Sequence, residues 1–274
     1  MKGQASNKLS ARRPRPNKRS FAAILCLGLL GATLASCSYT TKVDLPKTQP
    51  ETSRILWGDG TTMANLHSEQ DREEISFEKM GDYLPVAVVA IEDSRYFEHD
   101  GVDPRGIMRA LTRDLKSGKV IEGGSTITQQ YVRAVLLSPE QTLTRKIKEA
   151  VLAVQLERQY SKQAILTKYL NLIYFGNGAY GVQAAARTYF GKDAGELSLP
   201  ESALLAGLIR SPGDYDPFTQ PVAALARRNE VLSRIEILKR LPTENKNSAI
   251  AAPLGVGAAP ATQRTAAPHF VERV

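Results

Sequence analysis

Cysteine is almost missing from this sequence. Of 274 residues only Cys26 and Cys37 are cysteine, and both fall in one apolar segment near the N-terminus. Such a pair builds neither a disulfide framework nor a thiolate zinc site. Histidine is nearly as scarce, and His67, His99 and His269 are spread too widely to read as a metal cluster. A basic body is missing as well. The net charge is +8, but Lys2, Lys8, Arg12, Arg13, Arg15, Lys18 and Arg19 stand in the first 19 residues with no acid among them, which leaves the remainder at only +1. That balance points away from nucleic acid, whose phosphates are met by a basic surface on the folded domain.

What is present is a folding chain behind a membrane tether. A composition of 42% hydrophobic and 23% charged residues suits one globular domain with extensions. The basic tail, residues 1–20, precedes "FAAILCLGLLGATLAS", and positive charge before an apolar run marks the side left in the cytoplasm. Residues 21–38 fit a short transmembrane anchor. They also fit a lipoprotein-type signal, because "LASC" places small residues before Cys37. On either reading the following domain lies outside the cytoplasm. Residues 39–75 form a juxtamembrane stalk, in which "ILWGDGTTMANL" reads as a hairpin turned by Asp-Gly.

From residue 76 helical signals dominate, and a mostly α domain is expected over 76–240. Pro85 suits a first helical turn. In "RKIKEAVLAVQLERQY" the residues Ile147, Ala150, Val151 and Val154 share a stripe. Ser161 can cap a helix carrying Ile165, Leu166, Tyr169, Leu170 and Ile173, and Ser198 with Glu201 spells a capping box. After the helical "AALARRNEVLSRIEIL" the composition turns to Ala, Pro and Gly, so residues 241–274 read as a linker too poor in large side chains to bury a core.

Three stretches carry chemistry. "VAVVAIEDSRYFEHDG", residues 86–101, ends an apolar run on Glu92 and Asp93. This pair is either a helix end reaching solvent or an acid held where burial raises its proton affinity into the range of a general base. "EGGSTITQQYVR", residues 122–133, is a glycine turn leading into a helix. The N–H groups there, with Ser125, Thr126 and Thr128, could meet an anion. "RKIKE", residues 145–149, adds three cations and a second acid, with Arg145 and Glu149 placed as i, i+4 neighbours.

These stretches, followed by "KQAILTKYLN" and "LAGLIRSPGDYDP", occur in the order of the five motifs of bacterial peptidoglycan glycosyltransferases, and the chain resembles that family over roughly residues 54–238. The resemblance implies a lysozyme-like α head with a smaller jaw resting on the membrane. It further implies polymerisation of lipid II onto a growing glycan strand, with inversion at the anomeric carbon and loss of undecaprenyl pyrophosphate. By family position Glu92 is the general base and Glu149 the second carboxylate. Arg109, Arg133, Arg145 and Lys146 meet the pyrophosphate, and Ser125, Gln129 and Gln130 line the sugar cleft. Arg133 stands where relatives carry lysine, which keeps the charge but alters its shape. The other implied partners are the membrane, further cell-wall synthesis proteins and moenomycin-type inhibitors. No obligate cofactor is implied, although Mg or Mn could help neutralise the pyrophosphate. "APHFVERV" resembles the lead into the transpeptidase half of bifunctional penicillin-binding proteins, so a longer gene product is expected.

Two other readings compete. A lytic or hydrolytic muramidase would also use a glutamate, but a pyrophosphate-directed cation cluster has no task in cleaving a neutral glycan bond. A non-catalytic wall-synthesis scaffold would not need both Glu92 and Glu149. "SFEK" at 76–79 and "KSG" at 116–118 match pieces of a β-lactam-binding signature, yet no S-x-N element lies between them.

Overall fold

The computed structural model describes residues 43, 45, 53–56, 62–66, 71–117, 124–137, 142–238 and 243–258. The basic tail and the apolar run at 21–38 lie outside them. Among the described residues no helix is long and apolar enough to cross a membrane.

As the sequence predicts, the architecture is mostly helical. The described helices are α1 (Tyr83–Glu92), α2 (Pro104–Ser117), α3 (Ile127–Leu136), α4 (Leu143–Gln159), α5 (Lys162–Leu172), α6 (Val182–Phe190), α7 (Leu199–Leu208), α8 (Pro221–Ile237) and α9 (Thr243–Ala251). The hairpin expected near residue 60 is formed by β1 (Ser53–Leu56) and β2 (Thr62–Leu66), which pair antiparallel. A second small sheet has β5 (Ala179–Tyr180) between β3 (Asp71–Arg72), parallel to it, and β4 (Tyr174–Gly176), antiparallel.

Two helices supply the centre of the core. α1 buries Leu84, Pro85, Ala87, Val88, Val89 and Ala90, and α7 buries every residue from Ser202 to Leu208. A helix apolar on all sides is stable only when surrounded; α1 packs on both α7 and α8. The predicted caps are present: Ser161 Oγ accepts from Ala164 N at 3.2 Å, and Glu201 Oε2 accepts from Ser198 N at 2.8 Å.

Two sequence expectations are corrected. On α4 the buried residues are Glu149, Ala153 and Leu156, not the stripe through Ile147, which is exposed. Apolar residues surround this helix, so periodicity alone could not choose its inner face, and the face taken includes a carboxylate.

The second correction concerns the start of the linker. Residues 243–258 fold back on the head: Ala249 is buried, Gly257 N donates to Tyr189 O at 2.8 Å, and α9 packs on α8. The fastening is Arg228, a fully buried side chain of α8. Its Nη1 donates to Ala252 O (2.7 Å) and Pro253 O (3.0 Å), and its Nη2 donates to Ile250 O (2.9 Å). One guanidinium thus satisfies carbonyls that the end of α9 leaves without helical partners. Composition missed this because the segment holds on by polar geometry and small side chains. Arg228→Met is expected to release it. Amide exchange over 243–257 should accelerate by roughly ten-fold or more while α1 and α7 stay protected. Unchanged protection of that segment would contradict the fastening.

Candidate functional site

Glu92 is the last residue of α1, and the apolar helix before it places its carboxylate against the α3–α5 side of the fold. Gln130 Nε2 donates to Glu92 Oε2 at 2.8 Å, and Gln130 Oε1 in turn accepts from the buried Tyr169 hydroxyl at 2.9 Å. Burial pushes the Glu92 carboxyl above its ordinary value, against the opposing pull of the Gln130 amide, Arg227 and Arg210. The apolar helix thus ends on a carboxylate whose proton affinity burial raises.

Asp93 faces elsewhere. Its carboxylate is buried and accepts from Ile127 N at 3.1 Å, and His99 Nε2 lies 3.1 and 3.0 Å from its two oxygens. His99 Nδ1 is 3.4 Å from Lys162 Nζ. An ammonium only donates, so Nδ1 accepts and Nε2 carries the hydrogen toward Asp93. Lys162 also pairs with Glu157 at 2.7 Å, and Glu157 accepts from Gly101 N at 2.5 Å and from the Thr128 hydroxyl. This buried polar network ties the turn after α1 to α3, α4 and α5. Gly101 is required there: its φ is +82°, and a Cβ would lie 2.6 Å from the Ala153 carbonyl carbon.

The network changes the reading of the glycine turn. The first N–H of α3 is met by the chain's own Asp93, and Thr126 and Thr128 turn inward. Thr126 Oγ1 donates to Gly101 O at 2.6 Å and accepts from Gln129 N at 3.1 Å. Gln129, expected along a sugar cleft, is buried and closes a capping box by accepting from Thr126 N at 2.9 Å. The T-x-x-Q spacing could have revealed it; such a cap is worth about 0.5–2 kcal/mol.

Ser125 and Lys146, both expected to meet an anion, come together with Glu149, the second carboxylate. Lys146 Nζ lies 2.5 Å from Glu149 Oε1 and 2.7 Å from Ser125 Oγ. The Glu149 side chain is fully buried at 0% exposure, that of Lys146 is 45% exposed, and Glu149 Oε2 has no hydrogen-bond partner. The partner of Glu149 is therefore Lys146, at i−3, and not Arg145 at i−4, whose buried Nε has none. Arg133 stands on α3, and its charge opposes the upward shift of the Tyr169 hydroxyl. Arg109 is more exposed and lies 3.6 Å from Asp103, which Arg95 also holds at 2.7 Å. No group of three or more His, Cys, Asp or Glu side chains among the described residues is placed to hold a metal ion.

The arrangement is a part-buried carboxylate of raised proton affinity on one side and a lysine over a buried carboxylate on the other. A profile of the family described as Transglycosylase matches residues 59–236, and the span includes all of these groups. The chain belongs to this family, the peptidoglycan glycosyltransferases. It is 44% identical over 209 residues to penicillin-binding protein 1A of Aquifex aeolicus, covering 76% of this chain and 29% of that protein. It is 47% identical over 182 residues to penicillin-binding protein 1A of Escherichia coli, covering 66% of this chain and 21% of that one. A crystal structure of penicillin-binding protein 1A from Haemophilus influenzae aligns at 25% identity with a TM-score of 0.48, over 84% of this chain and 24% of that chain. The chain therefore spans less than a third of the length of these relatives.

In this transglycosylase three groups near the acid escaped sequence reasoning. Tyr169 was hidden in a regular apolar stripe. Arg227 and Arg210 reach the field of Glu92 from α8 and from just past α7, and no local spacing relates either to residue 92. Arg227 is itself held by Glu230 at 2.7 Å and lies 5.6 Å from the Tyr215 ring centroid.

Proposed function

We propose that the chain polymerises lipid II into glycan strands by inverting glycosyl transfer. The observation that carries the reading is the Glu92 carboxylate, raised in proton affinity by burial and held through Oε2 by Gln130. The acceptor's 4-hydroxyl oxygen forms a bond to the anomeric carbon of the growing chain, its proton passes to Glu92, and the bond from that carbon to the pyrophosphate oxygen breaks. Undecaprenyl pyrophosphate leaves with the electron pair. Fixed cations are the natural stabilisers of that departing charge. Lys146 is the best placed, because Glu149 and Ser125 fix its ammonium while its side chain is near half-exposed. Arg145, Arg133 and Arg109 add to the field. Moenomycin-type phosphoglycolipids would compete for the same cations.

The reaction takes place on the outer side of the bacterial cell membrane, with residues 21–38 as the tether. Ile107 and Met108 on α2 and Leu143 and Ile147 on α4 are all exposed, which supports a jaw that rests its apolar side chains on the bilayer. A transpeptidase domain in the full gene product remains part of the proposal, as do contacts with other wall-synthesis proteins.

The test uses the purified chain with labelled lipid II in one reaction and finished glycan strands in another, each with and without chelator. Strand growth from lipid II and no shortening of finished strands are expected. Shortening without growth would identify a muramidase, and inertness in both would identify a scaffold.

A further inference from the structure

The amide of Gln130 lies between two groups that make opposite demands on it. Its Nε2 donates to Glu92 Oε2 at 2.8 Å, and its Oε1 accepts from the Tyr169 hydroxyl at 2.9 Å. A carboxamide has nearly the same shape when its ends are exchanged, so the end facing Glu92 is decided by the partner at the far side. Tyr169 can only specify one answer. It is 1% exposed, and burial together with the Glu92 charge holds its hydroxyl proton well above the ordinary range, so it remains a donor at every pH at which the enzyme works.

We propose that Tyr169 is a positioning residue for glycosyl transfer, acting through Gln130 to keep an N–H donor turned toward the Glu92 carboxylate. The inference rests on Glu92 being the proton acceptor. Without the Tyr169 hydroxyl, Gln130 Oε1 loses its donor and the amide is free to turn over. Its oxygen then accepts from a protonated Glu92, which stabilises the acid at the expense of the base. Other charges bear on the pair: Arg227 and Arg210 favour the ionised form of Glu92 and Asp93 opposes it, while Arg133 and Asp93 act on Tyr169 with opposite signs. All of them persist in Tyr169→Phe, so the difference between the two proteins isolates the relay.

The experiment follows the Glu92 carboxyl by carbon NMR in the full chain carrying labelled glutamate, with the resonance assigned by its loss in Glu92→Gln. In Tyr169→Phe the proton affinity of Glu92 should rise about three- to ten-fold, which moves its titration up by roughly half to one pH unit, the worth of one hydrogen bond. The acid limb of kcat/KM should move with it while KM at high pH is unchanged. Gln130→Met reads the same relay from its other end, even if the tyrosine variant folds poorly, and should shift Glu92 in the same direction. In that background Tyr169→Phe should add nothing. An unmoved titration in folded Tyr169→Phe overturns the proposal, and so does an equal further shift in the Gln130→Met background, because the effect would then run through packing. A titration that moves while the acid limb stays fixed would instead overturn Glu92 as the base.

Discussion

Glu92→Gln is expected to stop glycan polymerisation, with a loss of about 10² to 10⁴ in rate, in a protein at least as stable as its parent at neutral pH. The amide keeps the shape and can still accept from Gln130, but it cannot take the acceptor's proton. The stability half follows from the sign of the Glu92 shift. Burial raises the carboxyl above its ordinary 4.5, with Gln130 and the two arginines opposing. A carboxyl that binds its proton more tightly in the folded chain costs stability as pH rises from the unfolded value through the folded one, and the cost persists above that window. Glutamine has no charge to bury at any pH. The variant's advantage in melting temperature should therefore emerge above about pH 4.5 and vanish below it. Polymerisation within a factor of two of the parent, in a folded sample, would remove Glu92 from the role of base.

Lys146→Met is expected to damage both activity and fold, for separable reasons. Glu149 is fully buried and Lys146 is its partner at 2.5 Å. Removing the ammonium leaves a buried carboxylate without its counter-charge, a loss of 3–5 kcal/mol for a fully buried pair and about 3 here because the lysine is near half-exposed. At roughly 2–4 °C per kcal/mol for a domain of this size, the melting temperature should fall by about 6–12 °C. The rate should fall by about 10² to 10³, as when a fixed stabiliser of transition-state charge is removed. Adding Glu149→Gln removes the orphaned charge and should restore most of the melting temperature but none of the polymerisation. Recovery of activity in that double variant would mean that Lys146 serves only to neutralise Glu149.

Sequence reasoning reached the parts of this molecule that are written in local spacing. The Ser161 and Ser198 caps, the hairpin and the three-four stripe of α5 are each decided within a few residues, and each is present. The six apolar residues before Glu92 left open whether the acid reaches solvent or is drawn into the fold, and it is the packing around α1 that raises its proton affinity. What failed were decisions made across the fold. Thr126 and Thr128 read locally as donors to an anion, whereas Asp93, 34 residues before Ile127, occupies the helix start. The inner face of α4 was misjudged because a buried glutamate satisfied from i−3 defeats a hydrophobic count. Residues 243–258 read as linker because one buried arginine does what large apolar side chains usually do.

The central claim is that strand growth is a transfer from a pyrophosphate-linked donor with the proton taken by Glu92. Its most direct test counts products: the full chain is given doubly labelled lipid II, and glycosidic bonds and free undecaprenyl pyrophosphate are measured together over one time course. The account predicts one pyrophosphate released for each bond formed, with both falling together in Glu92→Gln. Strands that change length without matching release of undecaprenyl pyrophosphate, or release that continues unchanged in Glu92→Gln, would contradict it.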